Sequence, residues 1–180
     1  MEPRIALLRG VNIGGNRLLM AELREELEAL GLEDVRTYIQ SGNVVFGPGS
    51  DAGEGGGELA RRIADAIEAR AGFRPRVLIL SVERFREAMA ANPFPEAEDA
   101  PGTLHLYFLA EPAAEVDLDA LAEVATDTER FHLGERVLYL HTPDGFGRSK
   151  LAGKVESILG VPATARNWRT VVRLWEMVEE

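Results

Sequence analysis

The chain has 180 residues, 46% of them apolar, and a formal net charge of −10 at pH 7; that suits one domain or two small ones with a real core. An acidic surface disfavours nucleic acid and anionic membranes, whose recognition needs clustered Lys and Arg. The absence of Cys excludes disulfides, thiolate metal sites and cysteine nucleophiles, and no stretch reaches the ~20 apolar residues of a membrane span.

Ile5 to Val11 is an apolar run that reads as a buried strand, and the apolar run between Arg4 and Arg9 is too short for a signal peptide. The reading is of a cytoplasmic protein. Gly14-Gly15 breaks the strand. Met20, Leu23, Leu27 and Leu30 recur at helical spacing, with Gly31 placed to end the helix. Val35 to Ile39 and Val44 to Phe46 are β-rich, and Ser41-Gly42-Asn43 between them reads as a hairpin turn. Gly47 to Gly57 is a Gly-rich, mobile loop. Leu59, Ile63 and Ile67 mark a second helix ended by Gly72, and Val77 to Leu80 is a strand. The order β-α-β-β-α-β is that of the split βαβ, or ferredoxin-like, fold.

Ser81 caps a short helix through Phe85 and Met89, and the prolines of Asn92-Pro93-Phe94-Pro95 and Pro101-Gly102 make a linker. The element order then repeats. Thr103 to Leu109 is a strand, Asp117 caps a helix through Leu118 and Leu121, and Thr128 to Leu133 pairs with Val137 to His141 around Gly134-Glu135. Leu151, Val155, Ile158 and Leu159 share a helical face, Pro162 to Ala165 is a last strand, and Trp168, Val171, Trp175 and Val178 stripe a terminal helix. The expected fold class is therefore α+β: a ferredoxin-like half over 1–80, a linker with a short helix over 81–102, and a second half with an added helix over 103–180.

This topology sorts the polar residues. In a split βαβ sheet the first two strands run parallel, so their carboxyl ends share an edge. Arg9, Asn12, Gly14 and Gly15 arrive there from the first strand, and Gln40, Ser41 and Asn43 from the second. The glycine pair matches neither a dinucleotide fingerprint nor a P-loop, and turn chemistry alone accounts for much of the pattern. In the second half, the opposite edge collects Arg148-Ser149-Lys150 and Arg166-Asn167 at two helix starts. Basic side chains there oppose the helix dipole and need another reason to be present; an anion supplies one. His105, His132 and His141 lack ligand spacing, so no metal site is expected, and there is no nucleophile elbow.

The chain resembles the domain-of-unknown-function 1697 family over nearly its whole length. The resemblance rests on Ala6–Gly15, Met20-Ala21-Glu22-Leu23-Arg24, Val35–Phe46, Asn92-Pro93-Phe94-Pro95, Ser149-Lys150 and Thr164-Ala165-Arg166-Asn167-Trp168. It implies a bacterial protein of two ferredoxin-like halves; it does not imply an activity and assigns no catalytic residues. The chain departs from the pattern between Gly15 and Met20, which is short and lacks a usual lysine, and at Ala165, where a second threonine is common.

Three functions compete. The first is binding of an anionic small molecule or nucleotide, with or without catalysis, through the Arg, Lys and Asn clusters. The second is RNA binding, disfavoured by the acidic charge, the missing RNA-reading signature and a third strand that offers only Phe46. The third is regulatory partner binding, which needs an exposed apolar patch. The sequence names no ligand, cofactor or oligomeric state.

Overall fold

The computed structural model describes residues 2–47, 49 and 55–180. Over these residues the chain forms two four-stranded antiparallel sheets and six α-helices, an α+β arrangement. By internal contacts it divides into two units, one running to Glu87 and including Arg173–Glu180, the other Ala88–Val172.

The first unit runs β1 (Arg4–Arg9), α1 (Met20–Ala29), β2 (Glu33–Tyr38), β3 (Asn43–Gly47), α2 (Gly56–Ala71) and β4 (Arg76–Ser81), after which α3 (Val82–Ala90) begins. Its sheet has the order β2-β3-β1-β4. Both β1 and β2 pair antiparallel with β3, so they run parallel to each other and end at one edge. Alternation along β1 and β3 turns Ala6, Leu8, Val44 and Phe46 toward the helices, where Leu23 and Leu27 of α1 and Leu59, Ile63 and Ile67 of α2 close one core. The i, i+4 spacing of those helical residues is what puts them on a single face. Gly72 ends α2 in the left-handed conformation, φ +77°. Ser81 Oγ accepts from Arg84 N–H at 3.2 Å and starts α3.

The second unit repeats the order with β5 (Leu104–Leu109), α4 (Leu118–Val124), β6 (Arg130–Leu133), β7 (Val137–His141), α5 (Lys150–Leu159), β8 (Ala163–Asn167) and the start of α6 (Trp168–Glu179). Its sheet order, β6-β7-β5-β8, is the same ferredoxin-like arrangement. Tyr107, Leu109, Leu138 and Leu140 meet Leu121 of α4 and Leu151, Val155 and Leu159 of α5. Asp117 caps α4, its Oδ1 accepting from Ala120 N–H at 2.9 Å.

Two boundaries differ from the sequence reading. The last strand continues through Asn167, because Arg166 and Asn167 pair with Leu106 and His105 of the long central strand. In α6 the buried apolar residues are Trp168, Val171, Leu174 and Met177; the first two are expected stripe positions, and from there the row continues at i, i+3, which leaves Trp175 and Val178 half-buried. Of the Gly47–Gly57 loop, residues 48 and 50–54 lie outside the described residues.

Candidate functional site

The end of β1 and the β2–β3 turn are tied together by backbone. Leu8 N–H donates to the carbonyl of Gly42 at 2.8 Å. Asn43 is fully buried beneath this turn; its amide donates to the carbonyl of Tyr38 at 3.1 Å and to Ser41 Oγ at 3.0 Å. Asn43 and Ser41 thus shape the hairpin, and their polar atoms are directed into it.

Asn12 joins the two loops. Its backbone is left-handed, φ +54°, a conformation Asn tolerates better than other side chains. Its Nδ2 donates to the carbonyls of Leu18 at 2.9 Å and Gln40 at 2.7 Å, and its Oδ1 accepts from Leu18 N–H at 2.9 Å. One amide therefore holds both ends of the β1–α1 loop and the far loop. Asn16 assists, its Nδ2 donating to the carbonyl of Gly10 at 2.8 Å. At ~1 kcal/mol net per neutral hydrogen bond, partly offset by solvent access, Asn12→Ala is expected to lower unfolding stability by about 2 kcal/mol, read from urea denaturation.

What the clamp supports is a recess of about 590 Å³. Of the residues expected at this edge, Asn12, Gly14, Gly15 and Gln40 line it, joined by Ile13, Arg17, Leu19 and Glu22. Arg9, Ser41 and Asn43 stand outside the lining. Gly14 and Gly15 have φ of +60° and +91°, and a Cβ on either would meet nothing within 4 Å. They are there for backbone conformation, and they leave an uncovered main chain. Their N–H groups make no hydrogen bond among the described residues. Arg17 is exposed and has no ion pair or hydrogen bond among the described residues. Glu22 is already engaged: its Oε2 accepts from Leu19 N–H at 3.0 Å, and its Oε1 lies 3.7 Å from the Arg70 guanidinium. The recess thus offers unused donors beside a carboxylate whose charge Arg70 only partly offsets, because the same guanidinium lies 2.8 Å from both Glu25 and Glu26.

Leu19 and Glu22 of this lining were not singled out as site residues in the sequence. A signal was present for Leu19: it directly precedes α1, where a helix calls for Ser, Thr, Asp or Asn.

The edge of the second sheet is built differently. Ser149 Oγ accepts from Ala152 N–H at 3.0 Å and Asn167 Oδ1 from Thr170 N–H at 2.9 Å, so each oxygen caps the helix that follows it. Arg148 and Lys150 are exposed beside the first cap. The pairing of Asn167 with His105, and the stacking of His105 on Phe146 with ring centroids 3.7 Å apart, bring both helix starts to one edge. Arg166 leaves that group: Ala163 and Ala165 pack into the helix-side core, and strand alternation turns Arg166 to the opposite face. Its guanidinium donates to the carbonyl of Ala165 at 2.8 Å, and burial pulls its pKa down to about 10, which leaves it charged at neutral pH.

Among the described residues no three His, Asp or Glu side chains are grouped to hold a metal ion, and no helix is long and apolar enough to cross a membrane. No curated protein matches the chain. A solved structure described as conserved bacterial protein SP0830 from Streptococcus pneumoniae is similar, at 26% identity and a TM-score of 0.72, with 100% of this chain and 99% of that chain covered. The family model "Protein of unknown function (DUF1697)" matches residues 1–139, the stretch that contains the whole recess and its clamp, and the chain therefore belongs to the DUF1697 family.

Proposed function

We propose that the recess between the β1–α1 and β2–β3 loops binds a small anionic ligand, of which phosphate-containing compounds are the leading class. The observation that carries this is the set of unspent donors on one concave surface: the Arg17 guanidinium and the N–H groups of Gly14 and Gly15. Donors left free on a surface held rigid by Asn12 suit an anion, because their geometry is fixed before binding and little ordering remains to oppose it. Glu22 also lines the recess, its charge only partly offset by an Arg70 shared with Glu25 and Glu26, so the anion is placed at Arg17 and the glycine main chain. RNA is the weaker reading: Phe46, the aromatic residue of β3, is 1% exposed and part of the core, so it offers no surface on which a base could stack.

Calorimetry of the protein with inorganic phosphate and a nucleotide panel tests this. Binding should weaken as salt rises, because exposed charges are screened over ~8 Å at physiological ionic strength. Arg17→Ala should weaken it about tenfold or more, the loss of one charge-assisted hydrogen bond. A wild-type protein that binds no panel member, or an Arg17→Ala variant that binds equally well, refutes the reading. If Arg148→Ala with Lys150→Ala abolishes binding instead, the anion sits at the start of α5.

A further inference from the structure

Large apolar side chains are rarely left in water without a reason when they gather at one place. The exposed ones among the described residues are Ile13 at 68%, Leu19 at 64%, Ile39 at 51% and Leu118 at 47%. Ile13 and Leu19 line the recess, and Ile39 directly precedes Gln40, whose carbonyl Asn12 holds at 2.7 Å. Two of the four thus share the loop of the unspent donors, and a third, Ile39, is on the loop that Asn12 ties to it.

Two of these three also break the local rules of their backbone. Leu19 is the N-cap of α1 and makes no side-chain cap bond; Ser, Asp or Asn there would accept a helix N–H that Leu cannot. Ile39 has φ +49°. That region suits Gly or Asn, and a β-branched side chain is an outlier in it. Each position therefore holds an exposed apolar group where a polar residue would fold better. Such violations concentrate where a side chain is retained for contact with something else.

We propose that the ligand of this recess is amphipathic: its anionic group lies at Arg17 and the Gly14-Gly15 main chain, and a short alkyl or acyl chain lies on Ile13, Leu19 and Ile39. This rests on the anion-binding reading above and adds the chemical class of the ligand. The donors, Ile13 and Leu19 line one recess of about 590 Å³, which fits a chain of a few carbons, and Ile39 stands outside the lining next to Gln40, which is part of it.

The test is a chain-length series of inorganic, ethyl, butyl and hexyl phosphate, titrated by calorimetry into wild-type, Leu19→Ser and Ile39→Asn proteins. In the wild type, affinity should rise about two- to fourfold per methylene, the gain from moving a CH₂ partly or fully out of water. The ratio of hexyl phosphate to inorganic phosphate affinity, taken within each protein, should fall severalfold in both variants. Both variants should melt higher by roughly 2–4 °C, since each replaces an apolar residue with one its backbone prefers. A flat series on a protein that does bind phosphate overturns the amphipathic ligand and leaves the anion site standing. Failure to bind any of the four compounds overturns both. Unchanged affinity ratios in the variants, or melting temperatures that do not rise, overturn the role given to Leu19 and Ile39.

Discussion

Gly42→Ala is expected to destabilise the protein by about 3 kcal/mol, a fall in melting temperature on the order of 10 °C for a chain of this size. Two effects add. The backbone at Gly42 has φ +82°, where an L side chain costs about 1–2 kcal/mol. A Cβ built there would also stand 2.7 Å from Leu8 Cβ and 3.6 Å from Leu8 Cα. Leu8 is fully buried, sits in the central strand, and donates its N–H to Gly42 itself at 2.8 Å. The obstacle is therefore a fixed atom of the core, not the end of a mobile side chain, and overpacking of this kind costs about 1–3 kcal/mol. Urea unfolding of the variant measures the sum. Gly14→Ala is the control: its φ is +60° but its Cβ meets nothing within 4 Å, so only the backbone effect of about 1–2 kcal/mol remains. Equal losses at the two positions would show that contact with Leu8 contributes nothing. Because Gly42 fixes the β2–β3 turn against β1, the variant should also bind inorganic phosphate less well than wild type, even where it stays folded.

How far the sequence carries depends on which physical signal each feature leaves. The strands Ile5–Leu8, Val44–Phe46 and Leu104–Leu109 are continuous apolar runs, and the helices at Leu59–Ile67 and Leu151–Leu159 are stripes at 3.6-residue spacing. These patterns follow directly from burial, and the observed order β2-β3-β1-β4 with its repeat follows from them. The convergence of Asn12 with Gln40 was legible too, because two parallel strands must end at one edge. The employment of each polar group at that edge was not. Asn12 and Asn43 look alike in the sequence as candidate ligand contacts; in the fold their amides hold the carbonyls of Gln40 and Tyr38 at 2.7 and 3.1 Å. Whether an Asn is spent on its own backbone depends on distances between loops, which no local pattern encodes. Arg166 is a similar case. Its place beside Asn167 suggests a shared site, yet one residue of offset in a strand puts the two on opposite faces. The apolar rim was hidden for another reason. Ile13 and Ile39 are ordinary core residues by type, and only their exposure marks them; Leu19 alone carried a signal, its place just before α1.

Stability should also fall by about 3 kcal/mol between pH 7 and pH 4, through His105 alone. The side chain lies on the helix-facing side of β5, 9% exposed, with its ring stacked on Phe146 at 3.7 Å and 16° from parallel. Its Nδ1 is buried without a hydrogen-bond partner among the described residues. A second proton would place a charge there with no acceptor to receive it, and burial accordingly pulls the His105 pKa from its ordinary 6.5 to about 4. The unfolded chain thus binds a proton at pH 6.5 that the folded one refuses until about pH 4. The contribution of His105 is therefore complete above about pH 6.5, falls by about 1.4 kcal/mol per pH unit through the window between the two values, and is gone below about pH 4. Carboxylates titrate in the same range, so the wild-type curve alone does not isolate the effect. His105→Leu does. Leucine fills a similar volume against Phe146, carries no orphaned nitrogen and does not titrate, so the variant should match or exceed wild-type stability at pH 7. Its advantage over wild type should then widen by about 3 kcal/mol as the pH is lowered to 4, measured by urea unfolding at half-unit intervals. Parallel curves for the two proteins across that window would mean that the folded state accommodates the imidazolium after all, with the ring leaving Phe146 to reach solvent.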